Sequence, residues 1–158
     1  MTQTLPRWSA LVVCFLLLFV AAPAPARSDG SARLQIMWPA DGTVTGRFGE
    51  WRGSHRHVGI DIGMLRSLRL RAAGPGVVQA AGYLAGYEGY GQVVLLDLRG
   101  PYTALYAHLS EVGVSPGQRL VRGQELGLAG CTGSCSGTHL HFEVHHNGQP
   151  VNPMRFLG

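Results

Sequence analysis

The sequence contains no lysine, since all 13 of its basic residues are arginine. Chemistry that needs a lysine amine, such as a Schiff base or the attachment of biotin or lipoate, is therefore excluded. Cysteines number three, too few for a disulfide-built scaffold, and at 158 residues the chain can bury a core without one. Helical periodicity is also missing: no uninterrupted window of about 11 residues holds it, because 23 glycines break the chain at short intervals. There is no block of like charge and no aromatic-basic interleaving, so the residues give no footprint for nucleic acid. The formal net charge of +4 is mild and suits an anionic surface such as a cell wall.

The longest apolar run, residues 10–22, falls short of the roughly 20 residues of a membrane-spanning helix. It follows a single positive residue, Arg7, and precedes Ala24-Pro25-Ala26, the small-x-small pattern of a cleavage site. Residues 1–26 are therefore expected to be a secretory signal peptide that leaves no stable membrane anchor once cleaved, with an uncleaved signal anchor as the alternative. Cys14 sits behind Val12 and Val13 with no small residue before it, so no lipid attachment is expected there. Residues 27–34, small and polar, are expected to form a flexible arm, and residues 35–158 one folded domain. An exported chain meets oxidising conditions. Cys131 and Cys135, separated by Thr-Gly-Ser, are first expected as a short disulfide, because a turn at Gly133 brings two Cα atoms within bridging distance. Free thiols and a shared zinc ion are the alternatives.

What the chain does contain is short strands. The runs GVVQAAG, GQVVLLDLRG, YTALYAHL, RLVRGQELGLAG and HLHFEV are rich in Val, Leu and Tyr and bounded by turn residues. The fold class is accordingly all-β, a compact antiparallel β-sheet domain, with one short helical turn expected near NPMRFLG. In HLHFEVH, His139, His141, Glu143 and His145 share one face while Leu140, Phe142 and Val144 share the other. Successive residues on a face lie about 6.5–7 Å apart, too far for His139 and His141 to bond each other directly. A metal ion with its water, or a substrate, would fill the gap.

Two further segments carry similar side chains. In HRHVGIDIG, His57 and Asp61 would stand about 13 Å apart in a straight strand, and a bend or bulge at Gly59 would bring them together. YAHL is expected to put His108 on the same strand face as Tyr106. Singly, each of these histidines reads as an ordinary core or surface residue and Asp61 as a turn residue; His55, His145 and His146 are left at the surface. Together they read differently. Catalytic zinc takes three His or carboxylate ligands and keeps a fourth position open, and His57, Asp61 and one of His139 or His141 would supply the three.

In this order, H-x-x-x-D, Y-x-H-L and H-x-H resemble the lysostaphin-like, LytM-type zinc metallopeptidases, which cut peptide bonds in bacterial peptidoglycan. The resemblance runs from WPADGTVTGRFG to VNPMRFL. It implies the lysostaphin-type fold with a zinc-bearing groove, one Zn2+ per chain held by His57, Asp61 and His141, and His108 and His139 as catalytic histidines that do not ligate the metal. It also implies the peptide stems and cross-links of peptidoglycan as substrate, hydrolysis by metal-activated water, and work in the periplasm or cell envelope, here as a monomer. Two departures touch loop shape alone: Ser136-Gly137-Thr138 stands where the family often has T-G-P, and a histidine common near the end of the central strand is replaced around Leu98-Arg99. The main rival is a non-catalytic member of the same fold that binds and activates a cell-wall amidase; such proteins are expected to lack zinc ligands, and here all five positions are filled. A passive wall-binding module would explain the basic surface but not the histidines. Two further residues or groups stay open: Glu143 either holds a ligand histidine by its second ring nitrogen or is a solvated strand carboxylate, and Tyr83, Tyr87 and Tyr90 of GYLAGYEGYG either line a groove wall or sit in a plain hairpin.

Overall fold

A computed structural model describes residues 34–158; the expected signal peptide and the arm up to residue 33 lie outside the described residues. Leu34, at the end of the expected arm, packs against the core. Ten strands follow: β1 Thr43–Gly46, β2 Ile60–Gly63, β3 Arg69–Arg71, β4 Gly76–Tyr83, β5 Gln92–Asp97, β6 Tyr102–Val112, β7 Arg119–Leu120, β8 Glu125–Ala129, β9 Leu140–His146 and β10 Gln149–Val151. They form one sheet whose main path is β1-β2-β9-β6-β5-β4-β7, with β10 on β9 and β8 joining β3 to β6. Every strand pair is antiparallel, as expected for a fold class built from short, turn-bounded runs. A short 3-10 turn, Pro153–Arg155, stands where NPMRFLG predicts one, and the Asn152 side chain caps it by accepting from the Met154 N–H. Among the described residues no helix is long and apolar enough to cross a membrane.

The period of two explains how the site is placed. Leu140, Phe142 and Val144 of β9 and Ile60 and Ile62 of β2 are fully buried in the core, each worth about 1.5–3 kcal/mol of apolar burial. Their intervening residues must then point to the opposite face. Asp61 and His141 are direct cross-strand partners in the β2–β9 ladder, so the register that buries the isoleucines also brings a carboxylate and an imidazole together.

Two local features refine this. The chain bends at Gly59 just before β2, and a Cβ there would lie 2.5 Å from the Phe142 carbonyl oxygen and 2.8 Å from the Glu143 Cγ. The glycine thus serves close approach of two strands. The second feature corrects an expectation: His108 does not share a face with Tyr106. Gln92 pairs with Leu109 and Val94 with Tyr106, so two steps on β5 face three on β6, which is a β-bulge. His108 sits at φ 63°, a left-handed conformation that costs a non-glycine residue about 1–2 kcal/mol. Tyr106 and Leu109 stay in the core, while His108 is turned to the face that carries His139 and His141, with ring centroids 4.8 Å and 6.0 Å away.

Candidate metal centre

The five predicted site residues converge on one cleft of about 740 Å³. His57, Asp61, His108 and His141 are each less than a tenth exposed, and His139 lies at the cleft wall with a 17% exposed side chain. His57 arrives on a loop rather than a strand. Its segment is closed by backbone bonds from Gly49 N–H to the His57 carbonyl and from His57 N–H to the Glu50 carbonyl, both 2.8 Å.

The hydrogen bonds fix which ring nitrogen of each histidine carries the proton, because a carbonyl oxygen can only accept. His57 Nδ1 donates to the Arg47 carbonyl at 2.9 Å. Arg52 Nη2 also lies 3.3 Å from that nitrogen, but a guanidinium can only donate, and it bonds Asp61 Oδ2 at 2.7 Å instead. His108 Nδ1 donates to the Thr132 carbonyl at 2.8 Å, and His139 Nδ1 to the Gly137 carbonyl at 2.7 Å. His141 is the reverse case, donating from Nε2 to Glu143 Oε1 at 2.8 Å. Four lone pairs therefore face the cleft: Nε2 of His57, His108 and His139, and Nδ1 of His141.

Three acceptors meet at one point. His57 Nε2 lies 3.0 Å from His141 Nδ1 and 3.2 Å from Asp61 Oδ1, and His141 Nδ1 lies 3.0 Å from Asp61 Oδ1. Lone pairs so close repel unless a proton or a cation stands among them. A tetrahedral ion with bonds of 2.0–2.1 Å would separate its ligand atoms by about 3.3 Å, so the triangle has nearly the size of one face of such a site. The donor set fits a divalent metal. His108 and His139 stand outside the triangle, with His139 Nε2 3.7 Å from Asp61 Oδ1.

The local field agrees. Burial by itself would raise the Asp61 carboxyl, but the adjoining His141 and His57 imidazoles and the Arg52 guanidinium outweigh it and hold the group well below the usual carboxylate range. Glu143 behaves alike: burial pushes it up, and His141, His145 and Tyr90 bring it down to about 2. Burial lowers the pKa of His141, but Asp61 and Glu143 more than reverse this and raise it, so the centre attracts positive charge. His108 is lowered, chiefly by burial and further by the nearby His139 and His141, which favours a neutral ring with a free Nε2.

Of the neighbours that surround the centre, only Arg52 was not singled out by the sequence pattern. Glu143 is not a solvated carboxylate; it is 2% exposed and accepts from the Tyr90 hydroxyl at 2.8 Å as well as from His141 and His145. His145 is thus bound to Glu143 rather than left in solvent, and His146 packs on Tyr102 with ring centroids 4.8 Å apart. Arg52 occupies the second oxygen of Asp61 and so leaves Oδ1 for the centre. Of the three tyrosines weighed as a groove wall, Tyr90 lines the cleft, Tyr87 packs against it at 5.6 Å between centroids, and Tyr83 is 71% exposed. His55, expected at the surface, is exposed yet lines the cleft mouth. Cys131 and Cys135 form the disulfide, with Cα atoms 5.3 Å apart.

With this geometry in hand, the chain can be compared with known proteins. Over 141 residues, 87% of this chain and 36% of the relative, it is 36% identical to the murein hydrolase activator NlpD of Salmonella dublin. Over 99 residues, 62% of this chain and 22% of the relative, it is 40% identical to the DD-carboxypeptidase/endopeptidase Mpg of Neisseria meningitidis serogroup B. The fold superimposes on a zinc-containing peptidase from Vibrio cholerae with a TM-score of 0.69 and 28% identity, over 77% of this chain and 40% of that one. The chain spans less than half the length of these curated relatives. Residues 55–153, the span that holds all five converging side chains, match peptidase family M23, and to that family the chain belongs.

Proposed function

We propose that this chain is an exported zinc metalloendopeptidase that hydrolyses peptide cross-links of peptidoglycan in the periplasm or cell envelope. The observation that carries the proposal is the triangle of three lone pairs at His57, Asp61 and His141, with two further imidazoles presenting free Nε2 atoms beside it. In this reading the three hold Zn2+, one ion per chain. When bound, the ion lowers the pKa of water towards about 7 and polarises a scissile carbonyl. The protein supplies the rest. His139 and His108 hold their Nδ1 protons on backbone carbonyls, so each Nε2 can take a proton from the attacking water or, once protonated, donate to the oxyanion. Arg52 and Glu143 fix the orientation of Asp61 and His141. In this reading the substrate peptide lies in the cleft, which Tyr90 and the loop around Cys135 line.

The similarity to a DD-carboxypeptidase/endopeptidase and to a zinc-containing peptidase supports this reading. The similarity to a murein hydrolase activator favours a second one, that the chain binds and activates a cell-wall amidase. An activator does not need three converging ligands or two oriented bases, so the filled site weighs towards catalysis. The test incubates the purified chain with peptidoglycan, with and without a chelator, and with and without an amidase. Chelator-sensitive release of cleaved cross-links by the chain alone, read by mass spectrometry of muropeptides, is expected. Activity that appears only with amidase would establish the second reading. His141→Ala is expected to lose both zinc and cleavage, whereas His139→Ala keeps zinc and loses turnover; a fully active His139→Ala chain would remove that residue from the chemistry.

A further inference from the structure

The loop 130–139 carries more of the site than the histidine at its end. Its Thr132 carbonyl holds His108 Nδ1 at 2.8 Å, and its Gly137 carbonyl holds His139 Nδ1 at 2.7 Å. The disulfide joins Cys131, immediately before the first acceptor, to Cys135, two residues before the second. Thr132 is pinned further: its hydroxyl donates to the Leu109 carbonyl at 2.8 Å and accepts from the Gln92 N–H at 3.0 Å. Ser134 N–H donates to the Gly89 carbonyl at 2.9 Å, tying the loop to the segment that presents Tyr90. By contrast, none of the three residues of the lone-pair triangle takes a hydrogen bond from this loop; His57, Asp61 and His141 are held by Arg47, Arg52 and Glu143.

We infer that the Cys131–Cys135 disulfide is the positioning device for the two imidazoles outside the triangle, so that opening it lowers turnover while the metal stays bound. The inference rests on the reading of His108 and His139 as catalytic residues. Both acceptors are backbone carbonyls of one short loop of small residues, Thr, Gly, Ser, Ser and Gly, which, beyond the hydrogen bonds of Thr132 and Ser134, bring no large side chain to anchor the path from one acceptor to the other. A covalent closure supplies that order. Released, the peptide units at Thr132 and Gly137 can rotate, and both imidazoles lose their fixed tautomer. Misplacing a reacting group by about 1 Å costs on the order of a hundredfold in rate. Cys131 is exposed and Cys135 half-buried, so the bond is within reach of a reductant from the cleft side. Metal affinity, which depends on a different set of supports, is left in place.

A water-soluble trialkylphosphine tests this without chelating zinc as a dithiol would. It opens the S–S bond to two thiols and becomes the phosphine oxide, taking its oxygen and the two protons from water. The full chain is compared in oxidised form, after phosphine treatment, and as the Cys131→Ser/Cys135→Ser pair. Zinc per chain is measured by elemental analysis, kcat and KM on a cross-linked murein peptide, and imidazole tautomers by long-range 1H–15N spectra, with His57 as the internal reference. The expected result is zinc retained, an unchanged His57 signature, loss of the fixed Nδ1–H pattern of His108 and His139, and kcat lowered roughly ten- to a hundredfold with little change in KM. Unaltered His108 and His139 signatures on opening would overturn the inference, and so would loss of zinc in step with activity. An oxidised, zinc-loaded chain that cuts no murein would sink the peptidase reading alone, because the spectra still report whether the bridge orders the two rings. Should the serine pair fail to fold, the phosphine arm on the folded chain decides.

Discussion

Glu143 is the residue whose replacement separates structure from function most cleanly. It is buried at 2% exposure and its two oxygens serve three donors, the Tyr90 hydroxyl, His141 Nε2 and His145 Nε2. Glu143→Ala removes the acceptor from all three and leaves a hole. One orphaned buried donor costs about 1–3 kcal/mol, and because such costs do not simply add, the total expected is about 3–5 kcal/mol, including the cavity. For a folded unit of this size that lowers Tm by about 10 °C or more. Glu143→Gln keeps an oxygen towards Tyr90 and His141, while His145 can change tautomer to accept from the amide nitrogen, so it should cost about 1 kcal/mol. What it loses is the negative charge behind His141. Partners of this kind behind a metal-ligating histidine are worth ten- to a hundredfold in metal affinity. Urea denaturation of the metal-free chains measures the first effect, and zinc titration against a chromophoric chelator the second. The reasoning is refuted if Glu143→Gln is as unstable as Glu143→Ala, or if Glu143→Gln binds zinc as tightly as the unaltered chain.

Three other substitutions probe the scaffold. Gly59→Ala places a Cβ 2.5 Å from the Phe142 carbonyl oxygen and 3.0 Å from His141 Cε1, so β2 and β9 must spread; a loss of about 2 kcal/mol or more in chemical denaturation is expected, together with weaker metal binding. Tyr106→Phe removes the fully buried hydroxyl that accepts from the Ala73 N–H at 2.8 Å. About 1–3 kcal/mol of stability should go with metal affinity intact, since this side chain lies on the opposite face of the sheet from the cleft, and a changed affinity in the zinc titration would contradict that. His108→Asn keeps a residue that tolerates the left-handed backbone; stability within about 1 kcal/mol of the starting chain, retained zinc and lost turnover are expected, and denaturation beside a murein assay checks all three.

The parts of the site that could be read from the sequence are those that obey a strict period of two. HLHFEV alternates without a break, so the face shared by His141 and Glu143 follows from burial of Leu140, Phe142 and Val144. Ile-Asp-Ile does the same for Asp61. Once both strands bury their apolar faces, antiparallel register places Asp61 opposite His141, and His57 needed only the bend at Gly59 to join them. The disulfide was legible for a similar reason, because a three-residue spacing around a glycine leaves few geometries.

His108 shows where that logic ends. Simple alternation carries it into the core beside Tyr106, and only an extra residue in β6, absorbed at φ 63°, turns it to the cleft. Nothing in YAHL announces a bulge: no glycine or asparagine marks the left-handed position, and the strain falls on the histidine itself. A bulge that inverts one residue while keeping Tyr106 and Leu109 buried satisfies the core and the site at once, and it has no reason to persist at about 1–2 kcal/mol unless the inverted side chain matters. Arg52, and the bond from Tyr90 to Glu143, escaped for a different reason. The two side chains reach Asp61 and Glu143 from a loop and from the short 3-10 turn Glu88–Tyr90, across separations of 9 and 53 residues, and no local spacing encodes such contacts. Their effect is nevertheless local: Arg52 occupies Asp61 Oδ2 and so turns Oδ1 to the centre, while Tyr90 holds the Glu143 oxygen that also accepts from His141 Nε2, which keeps His141 Nδ1 facing Asp61, His57 and whatever cation the cleft admits.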